Sequence, residues 1–423
     1  MNPSQPVKQP WYIIVLLILA GEAVFILPFV LARVFRPTFL AAFELDNVSL
    51  GICFSTYGIV ALISYLFGGV LADRFKPAKL MAVALWLTAA GGVFMATFPD
   101  YFLMKILYGY WGFTTIFLFW AAMIKATRIW GGVSSQGKAF GFLDGGRGLV
   151  GAAFGTLGVF IFSLFIDANA TETSPELREE AFGYVILVSS AIVALIGIFV
   201  FFFLKFRHED EVVPLKETIS AEDIKTVISM PVIWLLMIII LCAYVGYKTT
   251  DVFSLYAREV MLFSEVDSAK TGTFLLYMRP LVGVLVGFLA DRAKASVYLI
   301  VGFLLSIAGA VIFASGLLGP DHALTFFFSI IIIAMGVYAA RVLYFAVFNE
   351  GNIPLLLMGT AVGVVSFIGY TPDIFAGPMI GYFLDEYPGE PGQQYVFWIL
   401  AGFSFIGLIA SLLFYRITNR KTT

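Results

Sequence analysis

The chain has 423 residues, of which 60% are hydrophobic and only 13% are charged, whereas ordinary globular chains carry about 25% charged residues. Its net charge of -2 excludes a strongly basic protein and argues against nucleic acid as a partner. The apolar residues form continuous runs of the length that a membrane-spanning helix needs, about 20 residues, and not the shorter alternating segments of a transmembrane β-barrel. The composition therefore predicts an all-α membrane protein.

Twelve apolar runs follow one another along the chain, separated by polar turns. The predicted spans 1 to 12 are residues 11–40, 49–72, 80–98, 101–126, 139–165, 182–204, 231–260, 271–290, 297–318, 324–348, 359–384 and 395–415. The longest polar stretch, 205–230, carries both signs of charge. We therefore predict an N-terminal six-helix bundle over residues 1–204, a cytoplasmic linker over 205–230 and a C-terminal six-helix bundle over 231–423.

Lysine and arginine are concentrated on one side of this arrangement. The loops after odd-numbered spans are acidic or neutral apart from Arg178 and Lys270. The turns after even-numbered spans carry Arg74, Lys76, Lys79, Arg128, Lys138, Arg207, Lys216, Lys225, Arg292 and Lys294. Because cytoplasmic loops of membrane proteins are enriched in lysine and arginine, we predict a multi-pass protein of the bacterial inner membrane with both termini in the cytoplasm.

No feature of the sequence indicates an enzyme. Cys53 and Cys242 lie inside apolar runs, and His208 and His322 lie far apart in predicted loops. The motifs of zinc hydrolases, serine hydrolases and P-loop nucleotide-binding proteins do not occur in the sequence. We therefore expect no catalytic residue, no metal site and no cofactor, and we expect the lipid bilayer and a small solute as partners.

A sharp polar turn at residues 66–79 is repeated in the second half of the chain. Shifting residues 69–97 by 218 positions onto 287–315 gives 12 identities in 29 without a gap. The identical pairs include Gly69 with Gly287, Leu71 with Leu289, Asp73 with Asp291 and Arg74 with Arg292. A duplication in which both halves have the same orientation is typical of transporters that bind their solute between the halves.

The repeated turn resembles the signature of the major facilitator superfamily. The matching residues are Gly69-x-Leu71-Ala72-Asp73-Arg74 between spans 2 and 3, with the weaker repeat Gly287-x-Leu289-Ala290-Asp291-Arg292 between spans 8 and 9. The resemblance covers essentially the whole chain and implies the fold of that superfamily, twelve transmembrane helices in two pseudo-symmetric six-helix halves, working as a monomer. It implies gating roles for Gly69, Asp73, Arg74, Arg128, Asp291 and Arg292, with Asp73 holding spans 2, 4 and 11 together.

Two further stretches resemble the organophosphate:phosphate antiporter branch of the superfamily. They are Tyr256-x-Arg258-Glu259-Val260 and Gly359-Thr360-Ala361-x-Gly363. That branch carries an arginine in span 1, to which Arg33 corresponds. Its span-7 arginine falls on Gly246, with Lys248 nearby, and its span-5 histidine falls on Arg147. The resemblance implies an anionic solute, an organic or a phosphorylated metabolite.

Ionisable side chains inside the spans are the candidate functional residues. Inserting each one into the membrane costs about 2.5–3.5 kcal/mol, so its presence indicates a structural or functional role. The candidates chosen among them are Glu22, Arg33, Asp144, Arg147, Lys248, Asp251, Arg279, Arg341 and Asp373. None of them lies in spans 3, 6, 9 or 12, which are the outer supports in the superfamily. This segregation predicts a polar pathway through the remaining helices.

Arginines suit the capture of a carboxylate or phosphate, because a guanidinium can donate two parallel hydrogen bonds. At about 1.5 Å per residue, Arg147, Arg279 and Glu22 fall near the middle of the bilayer. The predicted solute-binding residues are Arg33, Arg147, Lys248, Arg279, Trp120 and Tyr370. The predicted coupling carboxylates are Glu22, Asp144, Asp251 and Asp373, the last of which follows Pro372, where we predict a break in span 11. Arg341 at the cytoplasmic end of span 10 is assigned to a gate.

Simpler roles for the same residues stay open. Asp144 with Arg147, and Lys248 with Asp251, are three residues apart and can pair on one helix face. Arg33 can extend to the outer interface. We predict a secondary active transporter that moves a small polar, anionic metabolite by alternating access, driven by a proton or solute gradient. The alternatives are a proton-coupled symporter of sugars or organic acids and a proton-driven exporter of amphiphilic compounds.

Overall fold

The computed structural model describes residues 9–132, 136–166, 173–206, 221–290, 292–344, 346–354 and 357–420 of the chain. Within those ranges the chain is almost entirely helical and contains no β-strand. A segment that crosses a bilayer must satisfy its backbone N–H and C=O groups internally, which a helix achieves without a partner strand. The predicted all-α membrane fold is confirmed.

Each of the twelve predicted spans corresponds to one or more helices. The first six are Trp11–Phe25 with the π-helix Ile26–Val30, Leu31–Val34 and Arg36–Ala42; Asn47–Arg74; Pro77–Met95; Tyr101–Gly112 with the π-helix Phe113–Trp120 and Ala121–Gly131; Gln136–Ser163; and Pro175–Phe203. A short helix, Ala221–Ile228, lies in the predicted linker, and residues 207–220 of that linker are outside the described ranges. The last six are Pro231–Thr249 with Thr250–Val252 and Phe253–Glu259; Glu265–Ala290; Ala295–Ala314; Ala323–Leu343; Met358–Gly369 with Pro372–Glu386; and Glu390–Arg420.

Eleven of the described helical stretches are long and apolar enough to cross a membrane. Span 11 is the exception, because it is divided into helices of 12 and 15 residues by a break at Tyr370 and Thr371. Proline lacks a backbone N–H, so Pro372 cannot donate the hydrogen bond that would continue the first helix, and a proline suits the first position of a new helix. Pro372 therefore ends the first helix and begins the second, and the break expected at this position is confirmed.

Packing divides the chain into two compact units, which are described separately. The first unit comprises Met1–Leu45, Ile52–Val213 and Ser264–Pro280, and the second comprises Asp46–Gly51, Pro214–Phe263 and Leu281–Thr423. Helix Glu265–Ala290 thus begins in the first unit and ends in the second. The bundle boundaries at residues 204 and 231 were predicted from the order of the spans, whereas these units are defined by packing. The boundaries therefore stay a prediction.

Each unit has an aromatic cluster where its helices meet the loops that follow odd-numbered spans. In the first unit, the ring of Phe182 packs on Phe35, Phe39 and Phe43 at centroid distances of 5.5 to 6.4 Å. In the second, Phe313 packs on Tyr256, Phe326, Phe397 and Phe253 at 4.6 to 6.0 Å. Such pairs contribute about 0.5–1.5 kcal/mol each beyond their buried area.

In the second unit, the start of helix Asn47–Arg74 lies directly on the backbone of helix Pro372–Glu386. The Asp385 carboxylate accepts hydrogen bonds from the backbone N–H of Asn47 and Val48 at 3.0 and 2.7 Å, satisfying donors that a helix start leaves unpaired. A Cβ atom on Gly51 would lie 2.4 Å from the carbonyl carbon of Gly377. Only glycine permits this approach.

We expect Gly51→Ala to destabilise the protein by at least about 1–3 kcal/mol, because the added methyl group meets backbone atoms that cannot rotate away. The measurement is thermal unfolding of the detergent-purified protein. Gly402→Ala is the matched control, since a Cβ there meets nothing within 4 Å and its helix position is exposed. Alanine at position 402 should be neutral or slightly stabilising. Equal melting temperatures for the two variants would contradict the close approach.

Candidate functional site

Four ionisable side chains from three helices meet in the first unit, and we call Glu22, Asp144, Arg147 and Arg279 the first-unit cluster. Arg147 Nε donates to Glu22 Oε2 at 3.1 Å. Arg279 Nη1 lies 3.4 Å from Glu22 Oε1, and its Nη2 lies 3.4 Å from Asp144 Oδ1. The two oxygens of Glu22 therefore interact with two different guanidinium groups.

Small residues make room for this cluster. A Cβ on Gly151 would lie 3.0 Å from Glu22 Oε1, and one on Gly148 would lie 3.4 Å from Arg279 Cγ. A Cβ on Gly21 would lie 3.3 Å from Arg147 Cδ. Glycines on adjoining helices let the backbones approach closely, so the glycine-rich sequence of span 5 brings the three charged helices together.

Burial makes the charge balance of the cluster important. Glu22, Arg147 and Arg279 are buried, whereas the Asp144 side chain is 54% exposed. Two buried guanidinium groups thus share one buried carboxylate, and the second carboxylate is largely open to solvent. A buried charge that loses its partner is strongly destabilised, so the two arginines require at least one anion between them.

Aromatic rings border the cluster. The guanidinium carbon of Arg147 lies 5.4 Å from the ring centroid of Phe25 and 5.6 Å from that of Trp120. The two rings meet edge to face at 6.1 Å. A guanidinium within about 6 Å of a ring centroid gains a cation–π attraction, so the predicted binding residue Trp120 contacts the predicted binding residue Arg147.

A second group of charged and tyrosine side chains lies in the second unit, and we call Tyr244, Tyr247, Lys248, Arg341 and Asp373 the second-unit cluster. Lys248 Nζ lies 2.8 Å from Asp373 Oδ1. The Tyr244 hydroxyl lies 3.1 Å from both carboxylate oxygens of Asp373. Asp373 is the second residue of helix Pro372–Glu386, so its charge is also favoured by the helix N-terminus.

The rest of the second-unit cluster is held by ring contacts. The guanidinium carbon of Arg341 lies 3.6 Å from the ring centroid of Tyr247. The ring of Tyr370, at the break in span 11, packs on Tyr244 at 4.9 Å, and its hydroxyl lies 3.3 Å from that of Tyr344. Predicted binding, coupling and gating residues, Tyr370, Asp373 and Arg341, thus occur around one helix break.

The remaining predicted residues are spread over the chain. Arg33 and Asp251 are buried, Gly69, Arg74 and Arg292 are exposed, and Arg128 is half-buried. Asp291 lies outside the described residues, as does the side chain of Asp73. At the first signature turn, Lys125 Nζ donates to the carbonyl of Ala72 at 2.8 Å, which pairs a carbonyl at the end of span 2 with a cation from span 4.

The sequence-based set lacked four contributing residues, namely Phe25, Tyr244, Tyr247 and Glu265. Tyr244 precedes Lys248 by one helical turn, and Phe25 follows Glu22 by three residues, so both lie beside charged positions that the sequence did identify. Glu265 accepts a two-point hydrogen bond from Arg178, with Nη2 to Oε1 at 2.7 Å. This ion pair accounts for Arg178, one of the two exceptions to the charge asymmetry of the loops.

Metal-binding clusters are not found: the part of the chain that the structure describes holds no group of three or more His, Cys, Asp and Glu residues placed to bind an ion. The contacts described in the two clusters are ion pairs, hydroxyl hydrogen bonds and contacts with aromatic rings.

Comparison with known proteins agrees with this description. A family profile described as Major Facilitator Superfamily matches residues 11–376. Inner membrane protein YqcE of Escherichia coli (strain K12) is 28% identical over 387 residues, covering 89% of this chain and 88% of that protein. Inner membrane protein YihN of the same organism is 26% identical over 424 residues, covering 98% and 97%.

Two solved structures have the same fold. A bacterial homologue of the human lysosomal transporter Spinster, in an inward-facing and occupied conformation, has a TM-score of 0.68 at 16% identity, covering 97% of this chain and 96% of that one. The nucleoside transporter NupG has a TM-score of 0.68 at 16% identity, covering 95% and 99%. At this identity the likeness establishes the fold alone.

The fold is that of a multi-pass membrane transporter. The chain belongs to the major facilitator superfamily, as the repeated signature turn predicted. The relatives are inner membrane proteins, which supports the predicted location in the inner membrane. The organophosphate:phosphate branch, the cytoplasmic position of the termini and the monomeric state stay predictions.

Proposed function

We propose that the protein is a secondary active transporter that moves a small anionic metabolite by alternating access, with Arg147 and Arg279 binding the anion. The observation that carries this proposal is the position of Glu22, a buried carboxylate shared by two guanidinium groups at 3.1 and 3.4 Å. A solute carboxylate or phosphate needs the same donors that Glu22 now uses.

Because the solute anion replaces the Glu22 carboxylate as the partner of the two arginines, solute binding is linked to proton binding. A solute anion beside an ionised Glu22 would place two negative charges within a few ångströms in a buried site, which is unfavourable. Protonation of Glu22 removes that repulsion and frees both guanidinium groups. Proton binding and anion binding therefore favour each other, and by thermodynamic linkage the effect is reciprocal. This coupling corresponds to transport of the proton and the anion in the same direction.

The second-unit cluster is assigned a coupling role in the same proposal. Lys248 and Asp373 form an ion pair beside the Tyr370 break, where a change in the charge of Asp373 alters the contacts of Lys248 and Tyr244 together. The sequence carries no nucleotide-binding motif, so an ion or solute gradient supplies the driving force. Both termini lie in the cytoplasm, and a single chain is the functional unit.

Arg279→Met should weaken anion binding about 10- to 100-fold, the equivalent of one lost hydrogen bond to a charged group. Binding is measured by calorimetric titration and thermal shift of the purified protein with acetate, benzoate, inorganic phosphate and phosphate esters, at constant ionic strength. Arg279→Lys should retain part of the affinity, since it keeps the charge without the two-point geometry.

The matched control is Arg292→Met, which removes an exposed arginine immediately beyond the same helix. It should leave anion affinity unchanged. Anion binding that is equally strong in Arg279→Met and Arg292→Met would contradict the assignment of the site. Flux into proteoliposomes that ignores imposed pH and solute gradients would contradict the transport mechanism.

A further inference from the structure

Flat apolar rings lie next to Arg147 in the first unit. Phe25 and Trp120 both contact the Arg147 guanidinium, and Phe29 lies 6.5 Å from Phe25 on the same helical stretch. All three rings are half-buried. Each of these rings therefore keeps part of its surface accessible.

The backbone is locally altered where these rings are attached. Ile26–Val30, which starts directly after Phe25, and Phe113–Trp120, which ends at Trp120, are the two π-helices among the described residues. π-helices are rare and occur frequently at functional sites. Each of them borders one of the two rings that contact Arg147, which is an independent reason to regard this ring pair as a site.

Hydroxyl groups near the rings are already engaged with one another. The hydroxyls of Tyr57 and Thr115 are 2.7 Å apart, and Thr115 also donates to the carbonyl of Trp111 at 2.7 Å. Thr114 is paired with Thr88 at 2.9 Å. These hydroxyl groups already have partners, whereas two rings contact the Arg147 guanidinium, so the contacts suit a flat apolar ring better than a solute rich in hydroxyl groups.

We propose that the transported solute is an aromatic anion, a carboxylate or phosphate joined by a few bonds to a flat ring. The ring packs on Phe25 and Trp120, and the anionic group binds Arg147 and Arg279. This inference rests on the proposed function and narrows its substrate class. The short distances from the Arg147 guanidinium to the two ring centroids, 5.4 and 5.6 Å, require the charge and the ring of the solute to be close together.

The test compares probes that share an anionic group and differ in the ring. Benzoate is compared with cyclohexanecarboxylate, and phenyl phosphate with cyclohexyl phosphate and inorganic phosphate, by calorimetric titration of the full-length protein. The aromatic member of each set should bind up to about tenfold more tightly, as expected for ring stacking beyond simple area burial. Preference confined to one set identifies the anionic group as carboxylate or phosphate.

Substitutions of the two rings test whether they cause the preference for aromatic over saturated anions. Trp120→Leu and Phe25→Leu should reduce the affinity for benzoate or phenyl phosphate to that of the saturated probe, whereas Trp120→Phe should keep the preference. Phe117→Leu is the matched control, because Phe117 lies in the same π-helix and stacks on Phe113 at 5.0 Å. Equal binding of aromatic and saturated anions by the unmodified protein would overturn this inference and leave the anion transporter intact. Failure of every anion to bind would overturn the proposed function.

Discussion

Glu22→Gln should retain anion binding and lose its dependence on pH. Under the proposed coupling, the unmodified protein takes up one proton with each anion, so its anion affinity should rise about tenfold for each unit by which the pH falls, over the range in which the two events are coupled. Glutamine is neutral at every pH and leaves both guanidinium groups available. The variant should therefore bind anions with an affinity that is independent of pH.

The same substitution should lower the stability of the protein, and added anion should restore it. Removing the Glu22 charge leaves Arg147 and Arg279 buried with the half-exposed Asp144 as the remaining carboxylate of the cluster. A buried charge without its partner costs about 3–5 kcal/mol. We expect Glu22→Gln to unfold at a lower temperature than the unmodified protein and to gain more from added anion.

Transport assays complete this prediction. In proteoliposomes, Glu22→Gln should exchange anion for anion and fail to accumulate anion when a pH gradient is imposed. Asp144→Asn is the control within the cluster, because its side chain is 54% exposed and lies 3.4 Å from Arg279 Nη2, whereas the buried Glu22 lies 3.1 Å from Arg147 Nε. It should keep the pH dependence. Coupled uptake that persists in Glu22→Gln, or disappears in Asp144→Asn, would assign the coupling proton to a different carboxylate.

Lys248→Met should destabilise the protein by about 3 kcal/mol, because it leaves the Asp373 carboxylate in a largely buried position without the ammonium group 2.8 Å away. The Tyr244 hydroxyl offsets part of this loss by hydrogen bonding to the same carboxylate. The double variant Lys248→Met/Asp373→Leu removes both charges and should recover most of the stability. The measurement is the free energy of unfolding in a mixed-micelle denaturation series.

The chain offers a closely matched comparison for this pair. Lys270 Nζ lies 2.7 Å from Asp267 Oδ1, and its side chain is 56% exposed, compared with 7% for Lys248. Surface ion pairs contribute about 0–1 kcal/mol, so Lys270→Met should have almost no effect on stability. Similar losses for the two variants would show that burial does not control the strength of the second-unit pair.

The sequence identified the charged residues that meet in the two clusters better than it predicted their partners. Helical spacing suggested pairs of Asp144 with Arg147 and of Lys248 with Asp251, since only residues on one helix can be related by spacing. The structure places Arg147 on Glu22 and Lys248 on Asp373, from helices far apart in the chain. Contacts of this kind depend on how helices pack, which no periodicity encodes.

Predictions that were based on a proline or on the internal repeat were reliable. A proline acts on its own helix, and a repeated motif provides the same evidence twice. Pro372 predicted the break in span 11, since the missing N–H acts within one helical turn. The signature turn at Asp73 and its copy predicted the superfamily. Tyr244 and Phe25 were not singled out, because an aromatic residue in an apolar span looks the same whether it contacts lipid, core or an arginine.

The two π-helices also affect how this chain can be compared with its relatives. A π turn contains an additional residue, and one residue of an α-helix corresponds to a rotation of about 100° and a rise of about 1.5 Å. Deleting a single residue from Phe113–Trp120 would therefore turn helix Ala121–Gly131 by roughly a quarter of a circle relative to Tyr101–Gly112. A related sequence that lacks this π turn should need a one-residue gap when it is aligned with span 4. Such a gap would indicate that the relative has no ring in the position from which Trp120 contacts Arg147.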